Sequence, residues 1–154
     1  LWPDMTWMFI LAYDVWNFQY TYLNLPTHSW YCGVALLLAP TFAAAFWNKG
    51  GWIQNRANTL ALWCMFAQVF PLFQDQGKFA VIPRLYADGF MDAATHPTAV
   101  DPTAQGVISV LSIVVNVVVF AAIIKRSMKL KKNPYKEEIW KGTKDYEEAM
   151  SRAE

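Results

Sequence analysis

Four long apolar and aromatic runs, separated by short polar punctuation, dominate the chain. The first extends from about Met5 to Leu23 and the second from about Ser29 to Trp47; the third covers roughly Trp52 to Phe73 and the fourth Val107 to Ile124. Each approaches the roughly 20 residues that a helix needs to cross about 30 Å of hydrocarbon. A segment in lipid must satisfy its own backbone, so helix is the reading for runs of this length. The predicted fold is therefore all-α. It is an integral membrane bundle of four transmembrane helices, over about 5–24, 28–47, 52–73 and 105–126, followed by a C-terminal amphipathic cytosolic helix.

The punctuation sets the order of these elements. Asn24-Leu25-Pro26-Thr27 and Lys49-Gly50-Gly51 are tight turns, and short connections make the first three spans antiparallel neighbours. The link over 74–104 carries Pro83, Pro97 and Pro102 with Asp75, Asp88, Asp92 and Asp101. Such a length is unusual for a plain connector and predicts an extracytosolic lid or surface loop with a short helix of its own. The four spans and this loop make one unit, 1–132. Beyond it, Asn133-Pro134 is a helix start, with Asn as cap and Pro in the first turn. Ile139, Tyr146 and Met150 recur at helical spacing over 133–154. This predicts a helix lying on the membrane or docked beneath the bundle, with a solvated tail as the alternative.

Charge orients the assembly. Lys125, Arg126, Lys129, Lys131 and Lys132 follow the last apolar run directly, and Lys49 and Arg56 flank the second turn. This bias places both termini in the cytosol and makes the cluster a membrane flank rather than a nucleic-acid patch. The net charge of +1 hides that segregation. A 55% hydrophobic composition exceeds that of soluble domains, and Trp7, Trp30, Trp47 and Trp52 fall where an aromatic belt is expected. The first apolar run lacks the flanks of a signal peptide. The chain starts at Leu1 rather than Met, which suggests a fragment or a processed product with further helices upstream.

Polar positions inside the runs are the candidate chemistry. Asp14 lies near the middle of the first span, and Asn17, Thr21 and Asn24 share its face. A carboxylate at that depth costs roughly 2.5–3.5 kcal/mol and normally faces a bundle interior or watery cavity, with a proton or cation as partner. The third span offers Ala57, Ala61, Cys64, Gln68 and Asp75 on one face, and the fourth Gln105, Ser109, Ser112 and Asn116. The three stripes are expected to converge on one interior. Taken singly, Asn58, Gln68, Ser109, Ser112 and Asn116 read as interhelical glue, worth about 0.6 kcal/mol each. Asp14 does not, because an amide would serve as well without a charge. Tyr13, Trp16, Tyr20 and Tyr22 surround it along the helix and suggest a cage for an organic cation. Pro40 should bend the second span and free the Leu36 carbonyl.

Other chemistry finds no support. His28 and His96 share no ligand spacing with each other or with an acid, so no metal site is predicted. Cys32 and Cys64 differ in depth by roughly 6 Å and read as buried, inert thiols rather than a disulfide. No nucleophile, phosphate-loop or dinucleotide motif is present, so catalysis gains nothing and no cofactor is indicated.

Three segments, LWPDMTWMFILAYDVWNF, THSWYCGVALLL and KGGWIQNRANTLALWCMF, carry a resemblance. They resemble the C-terminal half of an uncharacterised family of bacterial multi-pass membrane proteins known as a domain of unknown function. The similarity covers most of residues 1–125 and is most specific at AYDVWNF, around Asp14. It implies a membrane location with further spans upstream, and no activity or substrate.

The residues lead to two expectations. The first is a transporter or channel-like protein of the bacterial inner membrane. It takes a small solute or cation at Asp14, with Tyr13, Trp16, Asn17, Thr21, Gln68, Ser112 and Asn116 as the lining. The second is a non-catalytic scaffold or sensor subunit acting through its loop or tail. The expected partners are the lipid bilayer and a small solute or cation, with no nucleic acid. A second copy or upstream helices would complete the assembly.

Overall fold

In the computed structural model, residues 2–24, 32–70 and 102–152 are described, and the 74–101 part of the predicted loop, His28, Trp30 and His96 lie outside them. Five α-helices and no strand occur among the described residues. They are α1 (Trp7–Asn24), α2 (Ala39–Phe46), α3 (Trp52–Val69), α4 (Pro102–Leu130) and α5 (Lys144–Ser151). A π-helical stretch, Gly33–Leu38, runs straight into α2.

That stretch is how the chain accommodates Pro40. Proline has no N–H and its ring crowds the carbonyl four residues back, so a regular helix kinks there. Here the turn before it widens instead, and the Ala39 N–H donates to Val34 O, a five-residue step. Gly33 serves the same region by having no side chain. A Cβ there would come within 3.1 Å of the Phe18 ring on α1.

The predicted turn at Lys49-Gly50-Gly51 is present, and Gly50 sits at φ 83°, which a side chain would strain. The Trp2 N–H donates to Gly50 O at 3.0 Å, which ties the N-terminal segment to this turn. A small core lies directly above it, where Met5, Ala44 and Trp52 are buried with Phe9, Ile10 and Tyr13 against them. Trp52, expected in an interfacial belt, is therefore an interior residue.

Helix α4 packs against α1, and its remaining exposed surface between Val107 and Ile124 is apolar. Val107, Ile113 and Val118 are each more than 60% exposed. Among the described helices, α4 alone is long and apolar enough to cross a membrane. A four-span bundle therefore does not follow from length and composition. Helices α1 and α3 draw their apolar character from Trp, Tyr and Phe and dilute it with Asp14, Asn17, Gln54, Asn55 and Arg56. The Gly33–Phe46 helix is short.

The tail departs from expectation at its start. Asn133 and Pro134 make one turn, in which the Glu137 N–H donates to Asn133 O, and the turn does not continue. The Ile139 and Trp140 N–H groups donate instead to the Asp4 carboxylate, at 3.1 and 3.2 Å. Gly142, at φ 83°, then redirects the chain. The helix begins only at Lys144, where Thr143 caps it by accepting from the Tyr146 N–H and Asp145 and Glu147 occupy the first turn.

Candidate functional site

Asp14 lines a cavity of about 440 Å³ between α1, α2 and the tail helix. Its apolar wall includes Met5, Ile10, Leu11 and Ala44, and its outer end is formed by Lys49, Asp145 and Ala149. One Asp14 oxygen, Oδ2, accepts from the Thr41 hydroxyl at 2.6 Å. The same Thr41 oxygen accepts from Trp52 Nε1–H at 2.9 Å. Thr41 thus donates its hydroxyl proton to Asp14 and offers one lone pair to the Trp52 N–H. The other carboxylate oxygen, Oδ1, is shielded from solvent and has no hydrogen-bond partner. Two donors on α3, Asn55 Nδ2 and Arg56 Nε, are likewise buried without partners. The Arg56 guanidinium lies 5.5 Å from the centre of the Tyr13 ring, whose edge meets Trp52.

The outer end is held by charge. Lys49 Nζ lies 2.7 Å from Asp145 Oδ1 and 2.6 Å from Glu148 Oε2. These bonds push the Lys49 amine above its ordinary value, and its bond to Lys49 pulls Glu148 below its own. On the same helix the Tyr146 hydroxyl donates to Glu138, which pushes the phenol up to about 12 and keeps it a donor at neutral pH. Arg126 completes the dock. Its Nε–H donates to Ile139 O at 2.6 Å, and its guanidinium stacks 4.7 Å from the Trp140 ring centre. Ile139, Tyr146 and Ala149 are buried as a result. The tail is therefore held against Asp4, the Lys49 turn and the end of α4.

A pH dependence of docking follows with a definite sign. Glu148 is lowered, so its contribution is complete above its ordinary 4.5 and fades as pH falls through the depressed folded value. Lys49 is raised, so its contribution is complete below its ordinary 10.5 and fades as pH rises through the elevated value. Proteolysis of the tail should be slow between those limits, accelerate outside them, and accelerate with salt because the groups are partly exposed. Rates flat across both edges would remove the latch.

The structure divides the residues expected to converge. Ala12 and Gln19 meet α4, with Asn116 Nδ2–H donating to Ala12 O at 3.3 Å and Gln19 Nε2–H to Ser109 Oγ at 3.5 Å. These positions lie about 140–160° around α1 from Asp14. The α4 stripe therefore packs on the opposite side of α1, and Ser112 and Asn116 do not reach the Asp14 cavity. Asn116 also donates to Ser112 O at 2.9 Å, and the buried Ser112 joins this contact as interhelical glue. Thr21 is buried with its hydroxyl donated to Phe18 O of its own helix, and Asn17 is half-buried beside it. The side chains of Asn24 and Gln68 lie outside the described residues.

The aromatic cage does not assemble. Trp16 and Tyr20 stack on each other and are about half exposed, and Tyr22 is buried beside Phe18. Tyr13 takes an internal cation, Arg56, rather than facing the cavity. Cys32 is buried and Cys64 exposed; both are free thiols, so the expected burial holds for Cys32 alone. No group of three or more potential metal ligands occurs among the described residues.

Sequence reasoning missed Thr41, Trp52 and Asp4. Thr41 left a signal, as the one hydroxyl between Cys32 and Trp47 of an apolar second span. Asp4 left none, because its partners are 135 and 136 residues away.

No curated protein and no solved structure matches the chain. One family does match, over residues 1–152: the chain belongs to the family of unknown function DUF5692.

Proposed function

We propose that the chain is a multi-pass protein of the bacterial cytoplasmic membrane that takes a small solute or cation into the cavity above Lys49, with Asp14 as the acid that recognises it. The turn at 48–51 and both termini then lie on the cytosolic side, and α1, the Gly33–Phe46 helix, α3 and α4 are its four spans. Membrane insertion is supported by α4, whose exposed residues are Val, Ile, Leu and Phe where a soluble helix would be polar. Solute binding is carried by a single observation: a cavity of ligand-holding size with an incompletely bonded carboxylate in its wall. Thr41 fixes the side chain by its hydrogen bond to Oδ2.

The test is a thermal-shift screen of the detergent-purified chain against small solutes and monovalent cations, with Asp14→Asn alongside. At least one compound should raise the parent's midpoint and leave the variant's unchanged, since a ligand that binds only the native state stabilises it. That compound should enter proteoliposomes containing the parent and not the variant. Equal stabilisation of both proteins would remove Asp14 from the site.

A second reading, a sensor or scaffold subunit, draws on the tail. Asp145 and Ala149 are at once part of the cavity wall and part of the docked helix, so occupancy and tail position are coupled. On that reading, removal of residues 133–154 abolishes capture of a partner and Asp14→Asn does not.

A further inference from the structure

A second and larger cavity, of about 640 Å³, lies outside the Asp14 site. It is a groove between the N-terminal segment, the last turns of α4 and the strap that follows them. Phe120, Ile124 and Met128 form one wall and Tyr135, Ile139 and Trp140 another. The one charged side chain in its lining, Asp4, accepts two backbone N–H groups, and the Ser127 hydroxyl is donated to Lys132 O. The groove therefore presents a largely apolar interior, with its one carboxylate hydrogen-bonded to the strap.

Its end is the opposite. Val119 and Phe120, Ile123 and Ile124, and Ser127 and Met128 are successive turns of one face of α4. Lys131 and Lys132 follow directly where the helix ends. Lys132 is held at the groove's end by its N–H, which donates to Ser127 O at 3.1 Å, and Lys131 leaves the helix there at φ 54°. Between residues 125 and 138 six basic side chains stand against two acidic ones. Both acids have partners, Glu137 the Asn133 N–H and Glu138 the Tyr146 hydroxyl. A largely apolar slot whose α4 wall runs into two lysines, beside the one helix among the described residues that is long and apolar enough to cross a membrane, matches a molecule with an apolar chain and an anionic head.

We propose that this groove binds an anionic phospholipid of the cytosolic leaflet, with an acyl chain against α4 and the strap and the phosphate at Lys131 and Lys132. The site rests on the membrane reading above but not on the Asp14 cavity, which is separate. The bound lipid bridges α4 and the strap, so it also holds the tail in its docked position.

The test uses the full chain in a neutral detergent, with phosphatidylglycerol or phosphatidylcholine added. Bound lipid is counted by native mass spectrometry and the unfolding midpoint is recorded. Phosphatidylglycerol should be retained and raise the midpoint, whereas phosphatidylcholine and inorganic phosphate should do neither. The double variant Lys131→Ala, Lys132→Ala should weaken retention about thirtyfold, at about fivefold per lysine near an anionic head. Met128→Trp fills the groove from an exposed position and should lower retention with the lysines intact. Equal retention of the two lipids, or retention indifferent to both variants, overturns the site. A chain that stays dispersed without detergent sinks the membrane reading and this site with it. A detergent-dependent chain without lipid preference sinks this site alone.

Discussion

Asp4→Ala is expected to release residues 133–152 from the bundle while leaving the helices above intact. The Asp4 carboxylate accepts the N–H groups of Ile139 and Trp140, and Ile139 is only 2% exposed. Hydrogen bonds to a charged group contribute about 1.5–3 kcal/mol each, and alanine leaves two donors in a partly buried setting without a partner. Water recovers some of that loss once the strap lifts, so a net cost of about 3 kcal/mol is reasonable. A change of that size raises the released population on the order of a hundredfold. Hydrogen exchange at Ile139 and Trp140 should accelerate by about that factor, and proteases should cut beside Lys136 and Lys141. Asp4→Asn keeps one acceptor oxygen and should fall between the two. Unchanged protection in Asp4→Ala would mean that Arg126, Lys49 and apolar burial hold the tail unaided.

The second large effect is expected from Thr41→Val, which preserves shape and removes one oxygen. That oxygen both donates to Asp14 and accepts from Trp52. Valine orphans the indole N–H of a residue 2% exposed and takes from Asp14 its hydrogen bond to Thr41. An unsatisfied buried group costs about 1–3 kcal/mol and a charged one more, so a loss of about 3–5 kcal/mol is expected. For a chain of this length that corresponds to a midpoint lower by about 10 °C. Thr41→Ser restores the hydroxyl and should recover most of it. Stability unchanged in Thr41→Val would mean that Asp14 and Trp52 find other partners, and Thr41 would lose its positioning role.

Both residues show why the local pattern was readable and the site was not. Helix existence depends on runs of apolar side chains and on the turn residues between them, and these are properties of neighbours in sequence. The turn at Lys49-Gly50-Gly51 follows from glycine's access to positive φ, and the disturbance around Pro40 from its missing N–H. The form of that disturbance is a π-helical stretch rather than a sharp bend, and it starts at Gly33, where the Phe18 ring of another helix lies close.

Stripe positions were legible too, since a 3.6-residue period puts Ser109, Ser112 and Asn116 on one face. Which face of α1 they would meet was not. Periodicity is defined within a helix and says nothing about the rotation of one helix against the next. Packing chose the Ala12 and Gln19 side, and so separated the amides from Asp14.

By itself, then, the sequence determined an all-α chain with an apolar α4, a basic flank, a tight glycine turn and an acid in the first helix. Each of these is written in residues a few positions apart, where local sterics and hydrophobic period act. Tertiary structure decided the partners. Thr41 and Trp52 became the setting of Asp14, Lys49 found Asp145 and Glu148, and Asp4 took the N–H groups of Ile139 and Trp140. These choices join residues 11 to 136 positions apart. A hydrogen bond is satisfied by whichever donor the packed backbone brings within about 3 Å, and no local pattern records that distance.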